Sequence, residues 1–99
     1  MSFGKLLARL REEKGEGIKT LAPAIGINYT YISKIESDKS TPSVELIQRI
    51  AEYFNCDEDM LMIAAGRIPP KMMKVVQENP EEVLTFLRSK TQDESKSSN

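Results

Sequence analysis

Hydrophobic residues recur along the chain at the 3.6-residue spacing of amphipathic helices, and no stretch carries the period-two alternation of a strand. Ser2 suits the N-cap of a first helix, with Phe3, Leu6, Leu7 and Leu10 falling at i, i+3, i+4 and i+7. Lys14 and Gly15 end it, because glycine accepts the left-handed conformation of a helix C-terminus. A second helix is expected over residues 18–25, burying Leu21, Ala22 and Ile25 and stopping at Gly26. Pro23 lies inside it, removes one backbone hydrogen bond and is expected to distort its turn. Asn28 caps a third helix through its side-chain oxygen. The loop SDKST then leads to Thr41 as N-cap and Pro42 as first residue of a fourth helix, whose apolar stripe is Val44, Ile47, Ile50, Ala51 and Phe54. Asp57 caps a short fifth helix, DEDMLMIAA, closed by Gly66.

Beyond Gly66 the pattern changes. The stretch IPP interrupts the chain, and Pro70 opens a sixth helix bearing Met72, Met73 and Val76. Asn79, Pro80 and Glu82 form a start resembling a capping box for a seventh, EEVLTFLRSK. The final stretch, SKTQDESKSSN, has no apolar residue and is expected to be disordered. The organisation expected is a helical domain over 1–66, a helical hairpin over 67–89 and a disordered tail over 90–99. Met72, Met73, Val75, Val76, Val83, Leu84, Phe86 and Leu87 are more apolar residues than a two-helix hairpin can hide by itself, so a second surface should cover them.

The third helix has an unusual division of labour. With about 100° per residue and Tyr29 at zero, Ser33 lies near about 40°, Thr30 near about 100° and Lys34 near about 140°. Ile32 and Ile35 fall at about 300° and about 240°, on the opposite side. The helix is therefore anchored by two isoleucines and displays an arc of hydrogen-bonding groups. Tyr31, at the edge of that arc, is of a type that packs more often than it contacts a ligand. Helix two, a short turn from a glycine, then helix three is the spacing of a helix-turn-helix.

Composition narrows the chemistry. The 99 residues are 39% hydrophobic and 29% charged, which points to one compact domain with an appendage. No apolar run is long enough to span a membrane, and the start MSFGKLLARL lacks a signal peptide's uninterrupted apolar segment. A single cysteine excludes an internal disulfide and points to the cytoplasm. The chain contains no histidine, no paired-cysteine spacing, no glycine-rich phosphate loop and no HExxH, so neither an enzyme nor a metal or cofactor site is expected. Cys56 reads as a small buried hydrophobe, the methionines of MLMIAA with Met72 and Met73 as packing, and the acids of DEDM as a helix start. The net charge of −1 is unevenly spread: residues 1–42 carry seven Lys/Arg against five acids, the remainder seven against ten. A local basic face is compatible with an acidic partner despite the overall balance.

In order along the chain, LARLREEKG, LAPAIGIN before YTYISKIE, SDKSTPS and ELIQRIAEYFNCDEDML resemble the lambda-repressor-like, Cro-type helix-turn-helix regulators of the XRE family over about residues 3–65. The resemblance implies an all-α, five-helix DNA-binding domain, here with a C-terminal helical hairpin, whose third helix enters the major groove of double-stranded DNA. It places Tyr29, Thr30 and Lys34 where family members contact bases, with Asn28, Tyr31 and Ser33 beside them. Lysine suits guanine O6 and N7, and threonine a base edge or a thymine methyl. Lys39, Ser40 and Thr41 match the family's phosphate-contact loop, where free amides and a helix dipole favour an anion. Arg11 and Glu36 match a structural ion pair between helices one and three. The chain departs from the pattern at Gly17 and Ile18, where the family usually has Thr or Ser followed by a backbone-contacting Gln; Lys19 is the candidate to compensate. The function implied is a sequence-specific transcriptional regulator, a repressor acting as a homodimer on a near-palindromic operator. The alternative is an antitoxin or adaptor that holds a protein partner, a toxin or a peptidase, through the C-terminal hairpin.

Overall fold

Seven helices carry the described residues, 2–91, of the computed structural model: α1 (Phe3–Glu13), α2 (Ile18–Ala24), α3 (Tyr29–Glu36), α4 (Val44–Phe54), α5 (Glu58–Ala64), α6 (Pro70–Glu78) and α7 (Pro80–Lys90). The architecture is all-α, as expected. Most starts are set by short polar side chains that satisfy the first free amides. Ser2 Oγ accepts from the Lys5 N–H at 3.2 Å, Asn28 Oδ1 from Thr30 at 2.6 Å, and Asp57 Oδ1 from Asp59 at 2.9 Å. Gly15 and Gly26, at φ of 75° and 71°, turn the chain out of α1 and α2 in a conformation that side chains resist.

The chain divides into two units, with the break after Arg67. In the first, α1 and α2 pack on α3, and α4 packs on α5. Leu7, Leu21, Ile32, Ile35, Ile47, Ile50 and Leu61 are fully buried at the centre of this unit, with Phe3, Ala22, Ile25, Leu46, Ala51 and Met62 around them. Leu6 and Leu10 are only half-buried against it. The proline in α2 is accommodated: Pro23 is exposed, the helix runs one residue past it to Ala24, and Ile25 leaves helical geometry while staying buried.

The fourth helix starts later than the pattern predicts. Its cap is Ser43, whose Oγ accepts from the Leu46 N–H at 3.1 Å, and not Thr41. Pro42 lies outside the helix and is fully buried, with its carbonyl accepting from Arg67 Nη2 at 3.2 Å and Nε at 3.3 Å. A buried Pro42 held in this way cannot serve as a solvent-facing first helical residue. Val44, now the first residue of the helix, is exposed, and Leu46, Ile47, Ile50 and Ala51 form the buried face.

In the second unit, α6 and α7 pack on each other, and both open on a proline as expected. Asn79 departs from the predicted capping box: its side chain makes no cap bond to α7, and its Nδ2 donates back to the Val75 carbonyl at 2.9 Å, closing α6. Met72, Val76 and Val83 are half-buried, while Met73, Val75, Leu84, Phe86 and Leu87 are exposed. The last helix runs to Lys90, as the stretch EEVLTFLRSK predicts and one residue into the tail expected over 90–99, with acidic Glu81 and Glu82 in its first turn and basic Arg88 and Lys90 in its last complementing the helix dipole. Residues 92–99, most of the expected tail, lie outside the described residues.

Gly4 shows why α1 can lie so close to α3. A Cβ built on Gly4 would stand 2.5 Å from the carbonyl oxygens of both Ile35 and Glu36, and 2.7 Å from Asp38 Oδ1. Glycine inside a helix costs about 1 kcal/mol relative to alanine, so its presence needs a packing reason, and this contact supplies it. Gly4→Ala should therefore destabilise the protein by at least about 2 kcal/mol, because the obstruction is backbone and not a movable side chain. Urea unfolding of the variant checks this; a midpoint at or above that of the parent protein would show that the two helices can part without cost.

Candidate nucleic-acid interface

The third helix is built as its pattern requires. Ile32 and Ile35 are buried, while Tyr29 is half exposed and Thr30, Ser33 and Lys34 face solvent. Tyr31 is half-buried and packs on the core, at the edge of the displayed face. Asn28 sits at the start of the helix with its side-chain oxygen committed to the Thr30 amide. Lys19, from the first turn of α2, places its ammonium 5.3 Å from the centroid of the Tyr29 ring, within range of a cation–π contact. Asn28, Tyr29, Thr30, Ser33, Lys34 and Lys19 are thus gathered at one surface around α3. That surface offers hydroxyls, a phenol and two ammonium groups, with no carboxylate among these six residues.

Past the C-terminus of α3, Lys39 and Thr41 are exposed and Ser40 is half-buried. The Lys39 amide is not free for an anion, since it donates to the Lys34 carbonyl at 2.8 Å and so finishes the helix. The side chain of Lys39 remains the available donor. Asp38 precedes it in the left-handed conformation, φ 61°, and its carboxylate accepts from the Gly4 N–H at 3.0 Å. This bond ties the loop to the start of α1.

Arg11 and Glu36 make a two-pronged ion pair, Nε to Oε2 at 2.8 Å and Nη2 to Oε1 at 3.0 Å. Their side chains are only 14% and 11% exposed, so the pair is largely shielded from water. The hydrogen bond to Glu36 holds the Arg11 guanidinium above its ordinary pKa, against the opposing effect of burial and with help from the charges of Glu36 and Glu12. Arg11 Nη1 also donates to the Glu16 carbonyl at 2.9 Å, and the Glu16 carboxylate accepts from the Tyr53 hydroxyl at 2.6 Å. That bond, followed by burial and the Glu16 charge, pushes the Tyr53 phenol above its ordinary value. The connection between α1 and α2 is fastened to both α1 and α4 in consequence.

Among the described residues no group of His, Cys, Asp and Glu is placed to hold a metal ion, and no helix is long and apolar enough to cross a membrane. Cys56 is half-buried, and burial, with the Asp57 charge, pushes its thiol up from the ordinary value, which disfavours the reactive thiolate.

A family model described as helix-turn-helix matches residues 7–61, more than half of the chain. The chain belongs to this family, whose XRE/Cro-type members are DNA-binding transcription regulators. The ImmF control region 10 kDa protein of Bacillus phage phi105 is 36% identical over 59 residues, 60% of this chain and 66% of that relative, a little under two thirds of its length. A chain of a solved SinR protein/SinI protein complex has the same fold, with a TM-score of 0.57 and 21% identity over 94% of this chain and 98% of that one.

The helical pattern located the displayed face and the family resemblance the ion pair, but neither pointed to the residues that hold the loop behind it. Gly4 and Asp38 were missed, although a glycine one helical turn before Leu7 on the buried stripe of α1 was an available signal. If the ion pair clamps α3 onto α1, Glu36→Ala should cost about 2–4 kcal/mol by stranding the shielded guanidinium. Replacing both partners with apolar residues, Arg11→Met with Glu36→Leu, should recover most of that loss. Chemical denaturation of the single and double variants tests this, and a Glu36→Ala protein as stable as the parent would reduce the pair to a surface contact.

Proposed function

We propose that this protein is a sequence-specific repressor that binds a near-palindromic operator in double-stranded DNA as a homodimer, in the cytoplasm, with α3 in the major groove. The observation that carries the reading is the two-sided build of α3, with Ile32 and Ile35 buried and Tyr29, Thr30, Ser33 and Lys34 displayed. A groove about 12 Å wide admits a helix, and these side chains match the donors and acceptors on base edges there. Lys34 and Thr30 read bases, while Lys39, with Ser40 and Thr41 beside it, meets a phosphate. One such helix buries little surface, so two half-sites about 34 Å apart supply the needed affinity. The name of the phage relative, a control-region protein, supports a regulatory role.

The DNA-binding unit extends through Arg67, whose guanidinium holds Pro42, and the α6–α7 hairpin is the dimer surface, where Met73, Val75, Leu84, Phe86 and Leu87 are exposed. A second reading, in which the hairpin holds a different protein, has one supporting observation: the chain of like fold was solved in a complex of two different proteins. A stable dimer of the lone protein in equilibrium sedimentation favours the first reading, a monomer the second.

Base readout and phosphate contact separate cleanly in a salt titration. Lys34→Ala should cost about 1–3 kcal/mol on the preferred site and relax preference at one or two base pairs. Lys39→Ala should weaken preferred and random duplexes by similar factors, and flatten the slope of log affinity against log salt by about one unit per lost contact in each subunit. Unchanged affinity and slope for Lys39→Ala would mean that its loop does not lie on the DNA backbone.

A further inference from the structure

An open cleft runs between the start of α2 and the displayed face of α3, lined by Gly17, Ile18, Lys19, Tyr29, Thr30 and Ser33. Its character is mainly apolar, unlike the arc beside it. Ile18 is half-buried, with one side packed on the core and another in the cleft. The Lys19 ammonium lies toward the Tyr29 ring, 5.3 Å from its centroid. Gly17 also lines it, with open space where a Cβ would stand.

On base edges in the major groove the one apolar feature is the C5 methyl of thymine. We propose that Ile18, with the Tyr29 ring, forms a specificity-determining notch that receives a thymine methyl at the edge of each half-site. This rests on the reading of α3 as the groove helix and adds to it a residue from outside α3. Lys19, Thr30 and Ser33 carry donors that a phosphate could use, whereas Ile18 and the face of the Tyr29 ring offer none and suit an apolar group. A cytosine amino group or a guanine carbonyl pressed against the same surface would lose water without gaining a partner, and so be disfavoured. The methyl loses nothing polar on entry and removes apolar surface of its own and of Ile18 from water.

The experiment uses the full chain and the duplex it enriches from a random pool, with each thymine replaced in turn by deoxyuridine, which lacks only the methyl. The replacement is made in both half-sites together, and affinity is read by fluorescence anisotropy. One thymine position should show a loss of about three- to fivefold per half-site, the worth of burying one methyl-sized group. With Ile18→Ala, its fold checked by circular dichroism, the loss at that position should shrink to less than about twofold per half-site. Should Ile18→Ala fail to fold, the scan on the parent protein with Ile18→Val, which trims one methylene, decides by the same criterion of a reduced loss. No thymine sensitive to its methyl, or a loss equally large without the Ile18 side chain, overturns the notch while leaving groove binding intact. Failure to enrich any duplex overturns the groove reading, and the notch with it.

Discussion

The close approach of α1 to the C-terminal end of α3 is the constraint on which the rest of the first unit depends. Three contacts converge there. Gly4 lets the backbones touch, Asp38 accepts its amide, and Arg11 reaches Glu36 from two turns further along the same stripe. Leu7, between them, is fully buried. A helix as short as eight residues has little stability of its own, so α3 exists because its inner face and its C-terminal end are held by others. With that end fixed to α1 and the inner face closed by Ile32 and Ile35, the outer face carries no structural duty and is free to carry chemistry.

The same arrangement accounts for the charge. A protein with a net charge of −1 would repel DNA if its acids were mixed into the displayed face. Here Glu36 is neutralised by Arg11, while the Asp38 and Glu16 carboxylates are turned to the Gly4 amide and the Tyr53 hydroxyl. Lys34 and Lys39 are left exposed. Local sign, and not total charge, then governs how an anionic partner is met.

Much of this was legible in the chain because helix periodicity and caps are local signals. Ser2, Asn28 and Asp57 cap where their chemistry places them, and the buried and displayed sides of α3 follow from angle alone. What was illegible depends on contacts distant in sequence. Pro42 looked like the first residue of α4 because proline favours that position, yet Arg67, 25 residues later, draws it into the interior. Asn79 looked like a cap for the helix after it, but it bonds the helix before it, and both geometries are open to the same side chain. Gly4 was visible only as a weak spot in a helix until α3 was seen against it. The positions of Lys19 over Tyr29, and of the cleft beside Ile18, likewise needed the fold.

Central to the account is α3 lying in the major groove of a two-half-site DNA. Methylation interference on the preferred duplex tests it most directly, because dimethyl sulfate marks guanine N7 in the major groove and adenine N3 in the minor groove. The account predicts that N7 methylation blocks binding in two symmetric patches about one helical turn apart, with N3 methylation between them tolerated. Interference confined to the minor groove, or spread without two patches, would contradict it.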